Sequence, residues 1–207
     1  MRLRSLLHAI CLVVMLFPLC ALAQEKEGAK KTSLPSQEEM MRRWQEAMTP
    51  GDAHKALEQF VGEWDATTRM WMEGPQKPPT ESTGTSSSAM VLGGRFLRQD
   101  FTGQVMGMPF TGVGFTGYDN FKKKYVGSWM DSMSTSLATM EGTFDSSSKV
   151  LTTWGKMDEP MTGEKNKTIK YVLRILGPDK HVFEVYDLVG TKSEFKAFEI
   201  TYTRRKN

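Results

Sequence analysis

The stretch from Pro109 to Asp131, PFTGVGFTGYDNFKKKYVGSWMD, decides the fold class. Both halves are rich in β-branched and aromatic residues, and Asp119-Asn120 between them is turn chemistry. The pattern predicts a strand over Pro109–Tyr118, a tight reversal, and a second strand over Lys123–Asp131. The same texture runs outward in both directions, with turn signals about every dozen residues. Further strands are expected over Glu63–Met72, Ser82–Leu92, Arg95–Val105, Leu137–Phe144, Lys149–Lys156, Lys167–Leu176, His181–Leu188 and Glu194–Arg204. Asp145-Ser146-Ser147, Gly177-Pro178-Asp179 and Gly190-Thr191 supply reversals among them. No helical pattern separates these ten strands. Parallel neighbours need long crossovers, so short turns imply an antiparallel up-and-down meander. Closing that meander into a barrel removes its unpaired edges.

Upstream the texture changes. Arg2 and Arg4, an apolar run from Leu6 to Leu19, and Ala21-Leu22-Ala23 have the order of a cleaved export signal. The run is too short for the ~20 helical residues that cross a bilayer, so no stable membrane insertion is expected after cleavage. Bulky Leu19 before Cys20 disfavours lipidation there. Removing 23 of the 207 residues leaves 184, lowers the formal charge from +3 to +1, and takes away both cysteines, Cys11 and Cys20. Disulfides and thiolate chemistry are then excluded, and a near-neutral chain has no electrostatic footprint for nucleic acid. Residues 24–35 read as a flexible tether and 36–61 as two short helices. The first follows a Ser36/Glu39 capping pattern and carries Met40, Met41, Trp44 and Met48; the second runs from Asp52 to Val61. Residues 62–207 form the barrel domain.

Parity in the last strand places Lys196, Phe198, Ile200, Tyr202 and Arg204 on one face. In the first strand Trp64, Ala66, Met70 and Met72 share a face, so closure would bring Arg204 onto Trp64 as a cation–π pair. Gly62-Glu63-Trp64 after a short helix, with Arg204 near the end of the last strand, resembles the lipocalin members of the calycin superfamily. A closer resemblance spans most of the mature chain. Val61-Gly62-Glu63-Trp64, Leu92-Gly93-Gly94-Arg95-Phe96, Gly107-Met108-Pro109-Phe110, Gly117-Tyr118-Asp119-Asn120, Trp129-Met130-Asp131-Ser132-Met133-Ser134-Thr135, Glu141-Gly142-Thr143 and Tyr202-Thr203-Arg204 are similar to a secreted bacterial family known as domain of unknown function fifteen seventy-nine. The resemblance implies one exported, calycin-like domain and carries no activity to transfer.

The residues offer a binding site more readily than a catalytic one. Tyr125, Gly127, Trp129 and Asp131 share a strand face, so Trp129 could wall a ligand and Asp131 fix its polar end, near Thr135. The competing account makes Asp131 a turn cap and Trp129 core. Met106 and Met108 join the candidate site because methionine suits adaptable apolar pockets. Met70/Met72, Met106/Met108 and Met130/Met133 also suggest soft Cu(I), but they fall on three distant segments, and no cofactor is expected. His54 and His181 are isolated and read as a helix residue and a solvated turn residue. A lone histidine can hold haem in nitrobindin-like calycins, but nothing marks His181 for it. Gly112-Val113-Gly114-Phe115-Thr116-Gly117 sits inside a strand and is not a dinucleotide fingerprint. The in-strand glycines Gly84, Gly103, Gly112, Gly114, Gly117 and Gly127 read as sites of barrel bending. Lys122-Lys123-Lys124 and Arg204-Arg205-Lys206 read as solvated ends.

The expected protein is thus periplasmic or secreted and binds a small, mainly apolar molecule in or at the mouth of the barrel. Alternatives are an envelope protein-protein interaction module using the Met40–Met48 helix, docked on a partner or across the barrel mouth, and an enzyme using the Trp129/Asp131 region. No nucleophile elbow or zinc spacing supports the enzyme. Protein recovered from the envelope fraction of its own cells should begin at Gln24 on N-terminal sequencing; recovery starting at Met1 would refute the export reading.

Overall fold

The computed structural model describes residues 34–74, 76–160, 162–189 and 193–206. The chain divides after Ser36 into two compact units. In the first, only Leu34, Pro35 and Ser36 are described, and they carry no regular structure. The expected signal over 1–23, residues 24–33 of the expected tether, and the Gly190-Thr191 turn lie outside the described residues.

In the second unit, helix α1 spans Gln37–Met48 and helix α2 Asp52–Lys55, followed by a 3₁₀ turn over Glu58–Phe60. The strands are β1 (Gly62–Met70), β2 (Thr80–Val91), β3 (Phe96–Val105), β4 (Met108–Asp119), β5 (Lys124–Asp131), β6 (Ala138–Asp145), β7 (Val150–Glu159), β8 (Glu164–Gly177), β9 (Lys180–Val189) and β10 (Ser193–Arg204). Each lies within three residues of its expected bounds. Successive strands pair antiparallel, and β10 pairs β1 with Trp64 opposite Arg204 and Met70 opposite Phe198, closing the barrel. The Arg204 guanidinium lies 4.1 Å from the Trp64 ring centroid. It donates to the carbonyls of Val61 and Gln59, each at 2.7 Å, and of Pro178 at 3.2 Å, and pairs with Asp179. Arg204 is therefore not a solvated end, whereas Arg205 beside it reaches outward to Asp65.

Turn chemistry operates as the residue types dictate. Asp119 Oδ1 accepts from the backbone N–H of Phe121 and Lys122. Asp145 accepts from Ser147 and Ser148, and these bonds hold its carboxyl down at about 2. The parity of β10 departs from expectation at one point: the register shifts between Lys196 and Phe198, and the carbonyl of bulged Ala197 accepts from Trp71 N–H. The extra residue turns Lys196 outward, where it pairs with Glu184 and Glu199.

One end of the barrel is plugged. Leu57 and Phe60, from the segment after α1, pack on Leu97, Tyr125 and Leu151, with Met90, Tyr118, Phe144, Leu173 and Ile175 around them. Tyr125 donates its hydroxyl to the Ala53 carbonyl at 3.1 Å. His54 is buried, accepts the Gly51 N–H at Nδ1, and sets its ring edge-on to Tyr118. The last turn of α1 is held by two barrel side chains at this end: Asn120 Nδ2 donates to the carbonyls of Glu46, Ala47 and Thr49, and Arg95 Nη2 to that of Met48. The apolar side of α1 does not pack down, and Trp44 is 61% exposed. The helix is therefore at the plugged end and does not lie across the mouth.

His181, expected at a solvated turn, is buried at the plugged end. Its ring stacks on Tyr202 at 4.6 Å and meets Trp64 and Phe60 edge-on at 4.4 and 5.1 Å. Burial, reinforced by the nearby Arg204 charge, pushes its pKa down to about 4. The unfolded chain takes up this proton near its ordinary pKa while the native fold resists it. The group therefore costs stability as pH falls from about 6.5 to 4, by at most roughly 3 kcal/mol. His181→Phe keeps the ring stack and removes the proton. The wild-type stability advantage at pH 7, from urea unfolding, should shrink relative to the variant at pH 4.5; parallel pH profiles would refute this assignment.

Candidate functional site

The opposite end is the mouth, and its inner wall begins with Trp129. The indole lies flat on β4, over Gly112 and Gly114: a Cβ at Gly112 would stand 2.7 Å from Trp129 Cη2, and one at Gly114 2.8 Å from Cε3. These glycines therefore make room for a ring and are not chiefly sites of bending. Trp129 Nε1 donates to Asp131 Oδ2 at 3.0 Å, while Asp131 Oδ1 accepts the Met133 N–H at 3.0 Å. The carboxylate thus caps the turn, as the competing account has it, and also braces the indole. Trp129 itself, half-buried beside Phe110, packs on Trp64, Ala66, Phe101 and Tyr202 and keeps part of its surface open.

Other expected site residues separate. Tyr125 shares the inward face with Trp129 but belongs to the plugged-end core, because the six residue steps from Tyr125 to Asp131 span roughly 20 Å of strand. Thr135 is exposed in the connection between β5 and β6. Met106 and Gly107 form the two-residue turn between β3 and β4, both with positive φ, and Met108 follows at the rim, 51% exposed. Met70, Met72 and Met106 line one cavity of about 510 Å³ with Thr80, Ser82 and Gln104. Two of the three methionine pairs thus meet at the rim despite their distance in sequence, whereas Met130 lies on the outward parity of β5. The cavity sits where β2 and β3 part: their pairing starts at Gly84 opposite Gly103, leaving Thr80–Thr83 without a β3 neighbour.

A polar pair missed in the sequence completes the inner wall. Lys167 Nζ lies 2.6 Å from Asp187 Oδ2, the two side chains 10% and 20% exposed. This hydrogen bond raises the Lys167 ammonium above its ordinary range. The signal was present: Lys167 has the parity of Ile169, Tyr171 and Leu173, and Asp187 that of Phe183 and Val185. Around the pair Ile169, Tyr171 and Val185 are buried, with Met140, Phe183 and Phe198 half-buried against them. Among the described residues no three His, Cys, Asp or Glu gather to hold a metal ion. The His181 ring, enclosed by Phe60, Trp64 and Tyr202, is committed to packing.

Gly112→Ala should cost about 2 kcal/mol through the clash with the indole. In a Trp129→Leu background the cost should fall to less than half of that. Urea unfolding of the four proteins gives the coupling, and additive effects would refute the assignment of these glycines.

No curated protein matches the chain. The crystal structure of Rv2717c from M. tuberculosis is similar in fold, with a TM-score of 0.55 and 15% identity over 76% of this chain and 100% of that one. A de novo designed fluorescence-activating β-barrel has a TM-score of 0.40 and 14% identity over 72% of this chain and 97% of its own. The family model described as "Protein of unknown function (DUF1579)" matches residues 49–204, and the chain belongs to that family.

Proposed function

We propose that the protein is an exported binding module that takes a small, mainly apolar molecule into the open half of its barrel. The carrying observation is the contrast between the two ends. The plugged end is filled to a residual gap of about 10 Å³, at the lower bound for one water, whereas at the mouth a cavity of about 510 Å³ opens at the β2–β3 fork, lined by the outward-facing Thr67, Glu81, Thr83 and Gln104 as well as by the methionines. The inward side chains beyond the plug, Phe110, Trp129, Met140, Phe183 and Phe198, are only half-buried although they face the interior. Apolar surface left accessible inside a concave wall is the form small-molecule sites take, and methionines at the rim adapt to ligand shape. Catalysis has less support, since both Asp131 oxygens are engaged and both described histidines lie at the plugged end.

A second reading is favoured by one observation: Met40, Met41, Trp44 and Met48 of α1 are all exposed, as a helix docking on an envelope protein would be. One experiment separates the two. The mature protein is titrated with the fluorescent apolar probe N-phenyl-1-naphthylamine. Saturable binding is expected, weakened tenfold or more by Met70→Glu, which sets an unpaired charge in the wall, and unchanged by Trp44→Glu. No saturable binding, or indifference to Met70→Glu, would refute the small-molecule reading. A complex recovered from the envelope fraction with wild type and lost with Trp44→Glu would establish the second.

A further inference from the structure

We propose that the Lys167–Asp187 pair is the polar pole of the barrel's binding site, and that it selects amphiphiles ending in a hydroxyl group. This rests on the small-molecule reading above. Both residues occupy inward positions near the mouth ends of their strands, Asp187 directly opposite Ile169 and Lys167 one inward step further along β8. On the plug side their neighbours are apolar, Ile169 and Val185 being 3% and 6% exposed, while the Glu164 carboxylate lies 3.8 Å from Lys167 Nζ. Pairs such as Arg69–Glu81 lie on the outer surface, with both side chains about half exposed, and cost little there. Lys167 and Asp187 have instead been drawn out of water, where desolvation offsets much of their mutual attraction.

The pair is also incomplete. Asp187 Oδ1 is buried and has no hydrogen-bond partner within the protein. Lys167 carries three N–H donors; Asp187 Oδ2 takes one, and the Glu164 carboxylate at 3.8 Å is beyond hydrogen-bond reach. An acceptor and a donor thus stand side by side at the edge of an apolar wall. A buried carboxylate oxygen left unmet is expensive, and such violations concentrate at functional sites.

The two groups together define the chemistry that fits. A carboxylate brought to Lys167 would face the Asp187 charge, and an ammonium brought to Asp187 would face Lys167. An ether or alkane would leave Oδ1 unpaired. Oδ1 is covered, so a hydroxyl meets it only when the wall side chains over it part; it can then donate to Asp187 Oδ1 while accepting from Lys167 Nζ, and it carries no charge into the wall. Its apolar chain would then lie along Met140, Phe183 and Phe198.

The test displaces bound N-phenyl-1-naphthylamine with 1-decanol, decyl methyl ether, decanoate and decylamine. In the wild-type protein decanol should displace the probe at least tenfold more tightly than the other three. Replacing both partners with apolar residues, Lys167→Met with Asp187→Leu, leaves no unpaired charge; probe binding should persist and decanol should lose its advantage over the ether. Asp187→Asn is the second variant. It removes the Asp187 charge while the Glu164 carboxylate still stands 3.8 Å from Lys167 Nζ, so decanol's lead over decanoate should narrow at least threefold. Equal displacement by decanol and the ether in wild type overturns this inference while leaving the small-molecule reading standing. An alcohol preference that survives in both variants also overturns it. Failure of the probe to bind wild type ends the parent reading, and this one with it.

Discussion

The closure of β10 on β1 is the constraint on which the rest of the molecule depends, and Arg204 is its lock. A ten-stranded meander has two free edges until its first and last strands meet, and that contact joins residues as far apart in sequence as Trp64 and Arg204. The Arg204 guanidinium stacks on Trp64 from β1 and donates to carbonyls of Gln59 and Val61, in and just after the plug's final turn, and of Pro178 in the turn before β9. One planar cation thus ties the seam, the plug and a neighbouring turn. Five fixed donors on a delocalised charge can do this, whereas a lysine ammonium cannot stack and reach three carbonyls at once.

With one end committed to packing, the barrel's asymmetry follows. Leu57 and Phe60 fill the bore next to the seam, and His181 stays neutral among rings there. At the other end no element covers the interior among the described residues, and the wall is shaped by one large ring lying on two glycines. Trp129 is held in its plane by a carboxylate that is itself fixed by a backbone N–H. An indole positioned from both sides is a rigid surface, while the methionines across the mouth are flexible.

Much of this was legible in the sequence, because strand identity depends on side-chain type and the period of two. All ten strands and the Trp64–Arg204 seam follow from such local rules. What escaped depends on facts that parity does not carry. Tyr125 and Asp131 share a face but not an end, since alternation fixes direction and not depth. Lys196 lost its inward place to a bulge at Ala197, which no residue type there announces. Asp131 could serve a turn or a ligand, and no residue type announces the Met133 N–H that it caps. Lys167 and Asp187 did follow parity; each was obscured by a charge that made it look like surface. His181 was misplaced for the converse reason, because a polar ring beside a Pro-Asp turn gives no local sign that three aromatics enclose it.

The parting of β2 from β3 bears on how the molecule moves. A barrel zipped along every seam can widen its bore only by breaking ladder hydrogen bonds somewhere in the wall. Here the β2–β3 ladder ends early, at Gly84 and Gly103, where Phe101 crowds both backbones. Lengthening that fork by a residue pair breaks few bonds, since Thr80–Thr83 stay paired to β1. Breathing should therefore be polarised, with the amides of Thr80–Thr83 among the first to exchange with solvent and those at the plug among the last. The same asymmetry that leaves the mouth open also gives it a hinge.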